Sequence, residues 1–361
     1  MKKFKCSLVL LLAIFLLILS ISSIAIAGGN DQLVFAMVAR DISDPFHAIV
    51  ADGAQSECDK LGVKFILKDS GNDLMRQLDI VDTLISMGVD GVAINAVDGA
   101  GVIPAINALN KAGIPVVGFD TLPDGGEVVA CVGVDNVDIS HTAGKALIRG
   151  LKEKYGEVPE GVVLDIMGSV AMQIGRERRD GFNNAIAEYP QLEIAEAQGM
   201  WNPDDAYKVT SDLMTKYGKQ VIGMYTAAGC MAPGIASAIK SAGYDMKDIV
   251  FTSIGPFAID LQLIDEGKEY SSVVVPSLAQ GELSMKLLYY AVNNMMDKMP
   301  KIGELMVEEG EFWSPAKVVE YLGAPRVNVN IESLCPQDVP TDAPRLLGTL
   351  INKKQEEMKN K

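Results

Sequence analysis

A chain of 361 residues with 47 acidic and 32 basic side chains carries a formal charge of −15, and so acidic a surface argues against nucleic acid and anionic membranes as partners. It has two histidines and five cysteines, with no CxxC spacing and no His-rich run, so neither a metal site nor a cofactor is expected. Its length suits two lobes of ordinary size.

Lys2, Lys3 and Lys5 precede an almost purely apolar run over 8–24, and Ala25-Ile26-Ala27 is a small-x-small cleavage site. Residues 1–27 read as a secretory signal peptide removed after Ala27, which places the mature protein in the periplasm. The apolar run nearly reaches the roughly 20 residues that span a bilayer, so an uncleaved anchor is the alternative. Helix-weakening Ser20, Ser22 and Ser23, just before the triplet, favour cleavage. Cys6 lies ahead of the apolar run, on the wrong side of it for a lipoprotein processing site. Cys58, Cys131, Cys230 and Cys335 remain after processing, and an oxidising compartment allows them more than one full pairing. Each is equally well read as a small buried apolar residue, Cys58 above all, because it sits at a helical position.

An apolar strand over 33–38 leads into the polar turn 40–47 and a helix opening at 48, the first half of a βαβ unit. A second strand follows at 63–67, and residues 73–87 form a helix with Leu74, Leu78, Val81, Leu84 and Ile85 at helical spacing. The strand 91–95 ends on Asn95, the helix 102–112 is capped by Gly113, and the strand 114–120 ends on Asp120. Alternating strands and helices, with strands that are apolar throughout, predict a parallel sheet covered on both faces. In such sheets ligands sit outside the carboxyl ends of the strands, which is where Asp44, Asn95 and Asp120 fall.

The pattern then restarts, with strands at 162–168, 192–196, 221–225, 249–254 and 272–275 and helices at 173–187, 204–217, 231–242 and 256–267. Two consecutive sets of similar length predict two similar lobes, able to close on a guest by hinge motion. A long amphipathic helix runs from 278 to 296. Residues 303–319 carry no clear pattern. The tail holds Pro336, Pro340 and Pro344 and ends in the charged stretch 353–361, expected to be a solvated, frayed end.

Asp44-Pro45-Phe46, followed by Asp52-Gly53-Ala54-Gln55 and Asp59-Lys60-Leu61-Gly62, resembles the opening of the ribose-binding-protein family of type I periplasmic sugar-binding proteins. So do Ala93-Ile94-Asn95, Ile114-Pro115-Val116 leading to Asp120, Val134-Asp135-Asn136, and Arg176-Glu177-Arg178 with Gly181-Phe182. The resemblance covers 33–296. It implies an α/β fold of two Rossmann-like lobes with parallel sheets joined by a three-strand hinge. The division it suggests is 1–27 as signal peptide, 28–134 plus 277–310 as the N-terminal lobe, 135–276 plus 311–334 as the C-terminal lobe, and 335–361 as the tail.

The same resemblance places Asp44, Phe46, His47, Asn95, Asp120, Arg176 and Trp201 on positions that contact sugar in relatives. Arg40 falls where ribose-type members have Ser and arabinose-type members a long cationic side chain. Asp44 and Asp120 would accept hydrogen bonds from hydroxyls, Arg40 and Arg176 would donate from opposite lobes, and Phe46 and Trp201 would sandwich the ring. Each residue has a plainer reading as well. Asp44 before Pro45 is a helix N-cap, Asp120 can cap a turn, His47 can be a packed helix residue, and Arg176 lies in the charged run 176–180 of a solvated helix face.

In the second lobe the family pattern breaks, with Ala228 for its pocket Asn, Gly255 for its Asp, Ile254 for the aromatic before it and Pro276 for the hinge Gln. Ribose is therefore not the expected ligand, and a pentose, polyol, deoxysugar or sugar acid each fits part of the set. What the resemblance implies is a monomeric periplasmic protein delivering a sugar-like ligand to the inner-membrane permease of an ABC importer. The alternative is a sensory protein that hands its closed form to a chemoreceptor or histidine kinase. An enzyme is disfavoured, because there is no Gly-x-Ser-x-Gly elbow and no Gly-rich phosphate loop after the first strand.

Overall fold

The computed structural model describes residues 32–255, 257–309, 311, 313–329 and 333–334. The expected signal peptide, Cys6, Cys335 and the tail lie outside the described residues.

The first lobe begins with β1 (Val34–Ala39) and α1 (Pro45–Leu61). Asp44 starts this helix, its Oδ1 accepting from the Phe46 amide at 2.9 Å, with Pro45 in the first turn where a missing N–H costs nothing. Then follow β2 (Lys64–Asp69), α2 (Leu74–Met87), β3 (Gly91–Ile94), α3 (Ile103–Lys111), β4 (Val116–Phe119) and β5 (Ala130–Gly133). The chain crosses into α4 (Asn136–Tyr155), capped by Asp135, and builds the second lobe from β6 (Gly161–Met167), α5 (Gln173–Ile186), β7 (Leu192–Gln198), α6 (Pro203–Tyr217) and β8 (Val221–Thr226). That lobe continues through α7 (Ala232–Ser241), β9 (Val250–Gly255), α8 (Ala258–Asp265) and β10 (Ser271–Val274). A second crossing at Val275 and Pro276 returns the chain to the first lobe as α9 (Ser277–Val292).

The parallel strands of the first sheet run in the order β2-β1-β3-β4-β5, and those of the second in the order β7-β6-β8-β9-β10. Each lobe thus repeats one doubly wound order, with its switch point beside the first strand. The apolar strands are buried on both faces, Phe35 to Ala39 completely so.

The end of the chain departs from the expected division. Residues 311–334 were assigned to the second lobe, but β12 (Ala316–Tyr321) and β13 (Ala324–Asn328) extend the first sheet, β13 pairing in parallel with β5 and β12 antiparallel to β13. A short β11 (Leu305–Met306) adds to the edge of β12, and only β14 (Ser333–Leu334) reaches the second sheet, antiparallel to β10. The physical reason is the open edge of β5. A hairpin with Leu322 and Gly323 both at positive φ matches the twist of a sheet, and it buries Ala316, Val318, Ala324 and Val327 there.

Backbone contacts at glycine hold each returning helix to its lobe. A Cβ on Gly53 of α1 would stand 2.1 Å from the Leu278 carbonyl oxygen of α9, and one on Gly281 of α9 would stand 1.9 Å from the Val50 oxygen of α1. The second lobe repeats the device, since Cβ atoms on Gly181 of α5 and Gly144 of α4 would stand 2.3 Å from the Val137 oxygen and 2.5 Å from the Ala185 Cβ.

Beneath the end of β9 lies a buried acid pair. Ser253 Oγ contacts Asp260 Oδ1 at 3.2 Å, Glu269 Oε1 at 2.5 Å and Ser272 Oγ at 2.8 Å. Asp260 Oδ2 accepts from the Phe257 amide at 2.6 Å, which fixes the loop entering α8. Burial pushes the Asp260 carboxyl up to about 6, and burial together with the neighbouring Asp260 raises Glu269 well above the carboxylate range. A carboxyl raised in the folded state favours folding while it is protonated, and that contribution fades as pH rises from about 4 through about 6. Asp260→Asn should therefore gain on the native protein across this window by up to about 3 kcal/mol and hold the gain above it, as read by urea unfolding at pH 4, 5, 6 and 7.

Candidate ligand-binding site

The strand ends of both lobes converge on one cleft. Arg40, directly after β1, is buried, and its Nη1 lies 3.3 Å from Met172 Sδ of the opposite lobe. Its Nε is also buried and has no hydrogen-bond partner among the described residues. Asp44 and Phe46, at the start of α1, line the cleft beside Arg40.

Asn95 and Asp120, at the ends of β3 and β4, form the polar floor. Asn95 is fully buried and its Nδ2 bridges His47 Nε2 at 2.8 Å and Asp120 Oδ2 at 3.1 Å. Asp120 needs a donor, which orients the amide and leaves Nε2 of His47 as acceptor. The ring proton then sits on Nδ1, 4.0 Å from Asp44 Oδ2. Burial lowers the His47 pKa, opposed mainly by the Asp120 charge, so the ring is neutral near pH 7. Asp120 holds a left-handed backbone at φ 54°, as do Met200 at 53° and Trp201 at 61°. For side chains with a Cβ this conformation costs on the order of 1 kcal/mol each.

From the second lobe come Arg178 on α5 and Trp201 in the turn before α6. Trp201 lies on the end of β6, where a Cβ at Gly168 would stand 2.0 Å from its ring. The indole Nε1 is buried without a partner among the described residues. Arg178 stacks over the ring with its guanidinium carbon 5.7 Å from the centroid. Its Nε donates to Asn136 Oδ1 at 3.0 Å and its Nη1 to the Ala227 carbonyl at 2.6 Å. Burial lowers its pKa, and Tyr225 and the cleft carboxylates oppose that shift.

Arg40, Asp44, Phe46, Asp120 and Trp201 line the cleft, while Asn95 and His47 stand behind them, with the Asn95 amide holding Asp120. Arg176 does not belong to the cleft. It is exposed, and its Nη1 donates to the carbonyls of Val170 and Ala171 at 2.9 and 2.8 Å. Two residues on a helix are about 200° apart, so Arg178 faces inward where Arg176 faces water. Ile174, Arg178 and Phe182, spaced four apart and all buried, were the sequence signal for that face. Cys230, Phe257, Val275 and Ser277 also line the cleft, and no local pattern marked them.

Among the described residues Cys58, Cys131 and Cys230 are free thiols. Burial pushes Cys58 and Cys131 up to about 12, the inert buried role read for Cys58. A wider groove along α4, lined by His141, Lys145 and Lys152, lies away from the strand ends.

Two doubly wound lobes that meet at their strand ends, with arginines, carboxylates and aromatic rings lining the cleft, are the architecture of a two-lobe solute receptor. The chain belongs to the periplasmic binding protein domain family, whose profile matches residues 35–295. It is similar to the ribose import binding protein of Escherichia coli K12, at 29% identity over 224 residues covering 62% of this chain and 73% of that protein. The D-allose-binding periplasmic protein of the same organism is 26% identical over 282 residues, covering 74% of this chain and 88% of that one. A solved ABC transporter solute-binding protein from Mycobacterium smegmatis with bound glycerol superposes with a TM-score of 0.70 at 22% identity, covering 85% of this chain and 95% of that one. At that identity the likeness speaks for the fold alone.

The two arginines separate cleanly by experiment. Arg178→Ala strips Asn136 Oδ1 and the Ala227 carbonyl of their donor and should cost about 2 kcal/mol of stability, with a shift in Trp201 emission as its cation leaves. Arg176→Ala should cost under about 0.5 kcal/mol and leave the emission in place. Urea melts and fluorescence spectra in a Trp313→Phe background read both.

Proposed function

We propose that this protein captures a sugar or sugar-like ligand, a pentose, polyol, deoxysugar or sugar acid, between its lobes and delivers it to the permease of an ABC importer in the inner membrane. The observation that carries the reading is the convergence of Arg40, Asp44 and Asp120 from one lobe with Arg178 and Trp201 from the other, with the Arg40 Nε and Trp201 Nε1 donors buried and unpartnered among the described residues. A polyhydroxylated ring needs such a rim of carboxylate acceptors and cationic donors, with aromatic faces against its C–H surfaces. Charge-assisted hydrogen bonds are worth roughly 1.5 to 3 kcal/mol each, so three or four with stacking supply the roughly 8 kcal/mol of micromolar binding.

The named relatives support the transport role. One is by name a ribose import binding protein and the other a D-allose-binding periplasmic protein, and the reading extends their kind of cargo to this cleft. The export signal read in residues 1–27 would deliver the chain to the periplasm. No helix among the described residues is long and apolar enough to cross a membrane. The receptor acts as a monomer without a catalytic step or cofactor, and the form closed over ligand is what the permease meets.

A thermal-shift screen of residues 28–361 against pentoses, hexoses, polyols, deoxysugars and sugar acids tests this reading. Ligand at 100 times its Kd should add about 2.7 kcal/mol to stability, a shift of a few degrees. Deletion of the gene should then slow cellular uptake of the same compound. Silence across all five classes, or unchanged uptake of a confirmed ligand, would remove the sugar reading or the transport reading respectively.

A further inference from the structure

We infer that the ligand of this cleft is an uncharged deoxysugar, whose hydroxylated edge meets Arg40, Asp44, Asp120 and the Trp201 indole and whose deoxygenated edge, a C–H or methyl group, meets the wall formed by the ends of β8 and β9 and the hinge. The inference rests on the sugar-binding reading above and narrows it to one class.

The cleft is divided by polarity. The first lobe supplies Arg40, Asp44 and Asp120, and the second lobe adds one charged side chain, Arg178. Beyond Trp201 and Ile174, the far wall is Ala228, Cys230, Ile254, Gly255 and Val275 with the ring of Phe257, and the one hydroxyl, Ser277 Oγ, stands past the hinge at the start of α9. None of the wall residues carries a side-chain acceptor for a hydroxyl beyond the weak sulfur of Cys230. That thiol is itself turned to the Trp201 carbonyl at 3.4 Å, and burial keeps it protonated by pushing its pKa up.

The carbonyls of this wall each already accept a hydrogen bond as well. The Ala227 carbonyl accepts from Arg178 Nη1 at 2.6 Å, and the Ala228 carbonyl from the Met231 amide at 3.1 Å and Thr226 Oγ1 at 3.3 Å. The Gly255 carbonyl accepts from the Val275 amide at 2.6 Å, and the Val275 carbonyl from the Ser277 amide at 2.7 Å and Ser277 Oγ at 3.2 Å. A ligand hydroxyl aimed here would leave water without gaining a partner of equal quality, whereas a methyl or C–H edge loses nothing.

The unpartnered buried donors are Arg40 Nε of the first lobe and Trp201 Nε1 of the second, so the demand for ligand oxygen lies with these two side chains and not with the apolar side chains at the ends of β8 and β9. Two guanidiniums, Arg40 and Arg178, share the cleft with two carboxylates, Asp44 and Asp120. The charges balance without a contribution from the ligand, which sets the deoxysugar above the sugar acid.

Matched pairs that differ by one hydroxyl test the inference by calorimetry on the mature protein. The probes are ribose with 5-deoxyribose, galactose with fucose, and mannose with rhamnose, each pair in both D and L series. The expected result is at least one pair in which the deoxy member binds about 10-fold tighter or more. Ala228→Ser, a small change that adds a hydroxyl to the far wall, should narrow that ratio by about threefold or more, with a melting curve to show that it folds. Equal or tighter binding by the hydroxylated parents, or a sugar acid as the tightest ligand, would overturn the inference and leave the sugar-binding reading standing. Binding of a parent sugar here, or of a polyol in the thermal-shift screen, with no deoxy member bound would overturn it in the same way. Failure of every sugar in the set to bind would overturn the inference, and the same silence across the five-class thermal-shift screen would take down the sugar-binding reading itself.

Discussion

The cleft depends on how tightly two helices are pressed to the lobes they re-enter. α4 and α9 are the elements that follow the crossings after β5 and β10, so their position sets where the crossings lie. In each lobe the helix after the first strand carries an Asp-Gly pair, Asp52-Gly53 in α1 and Asp180-Gly181 in α5, and the glycine lets a partner helix come to backbone contact. Helices packed through larger side chains stay 8–10 Å apart, and any Cβ at Gly53 or Gly281 would collide with a carbonyl of the neighbour. The same contact made twice is why two stretches of different sequence build equivalent lobes.

On that frame the strand ends need few polar groups, and those present are held by one another. Asn95 serves His47 and Asp120 with a single amide, and the neutral His47 lets that amide donate in both directions. Arg178 is likewise tied to Asn136, at the start of α4, and to the Ala227 carbonyl after β8. These bonds fix the carboxylate of Asp120 and the guanidinium of Arg178 before any ligand arrives, which reduces the ordering cost of binding. The left-handed residues Asp120 and Trp201 are the local cost of aiming both side chains into the cleft.

The polar and apolar halves of the cleft have different origins. The polar half rises from β1, β3 and β4, each ending on a hydrogen-bonding residue or a cap close behind it. The apolar half comes from β8, β9 and the hinge, where Ala228, Ile254 and Val275 close the wall. Below that wall the Ser253, Asp260 and Glu269 cluster fixes the entry to α8. Asp260 and Glu269 thus lie behind the second-lobe wall, where they hold a loop, and do not line the cleft.

Much of this was legible in the chain itself. Strand and helix periodicity, the caps at Asp44 and Gly113, and the polar residues that close apolar strands are all encoded within a few residues of each other, so the doubly wound lobes and the strand-end positions of Asp44, Asn95 and Asp120 could be read locally, whereas the family resemblance singles out Arg40 and Trp201. The spacing of Ile174, Arg178 and Phe182 marks a face of α5, but the tertiary structure settled the choice between Arg176 and Arg178, because it depends on which side of α5 meets the second sheet and Trp201. It also placed the 316–328 hairpin, since a strand pattern shows that a segment will pair but the partner is whichever edge remains open, here that of β5. The sequence by itself thus determined the elements and the polar strand ends, while the facing of a helix and the partner of an edge strand were decided by contacts between residues far apart in the chain.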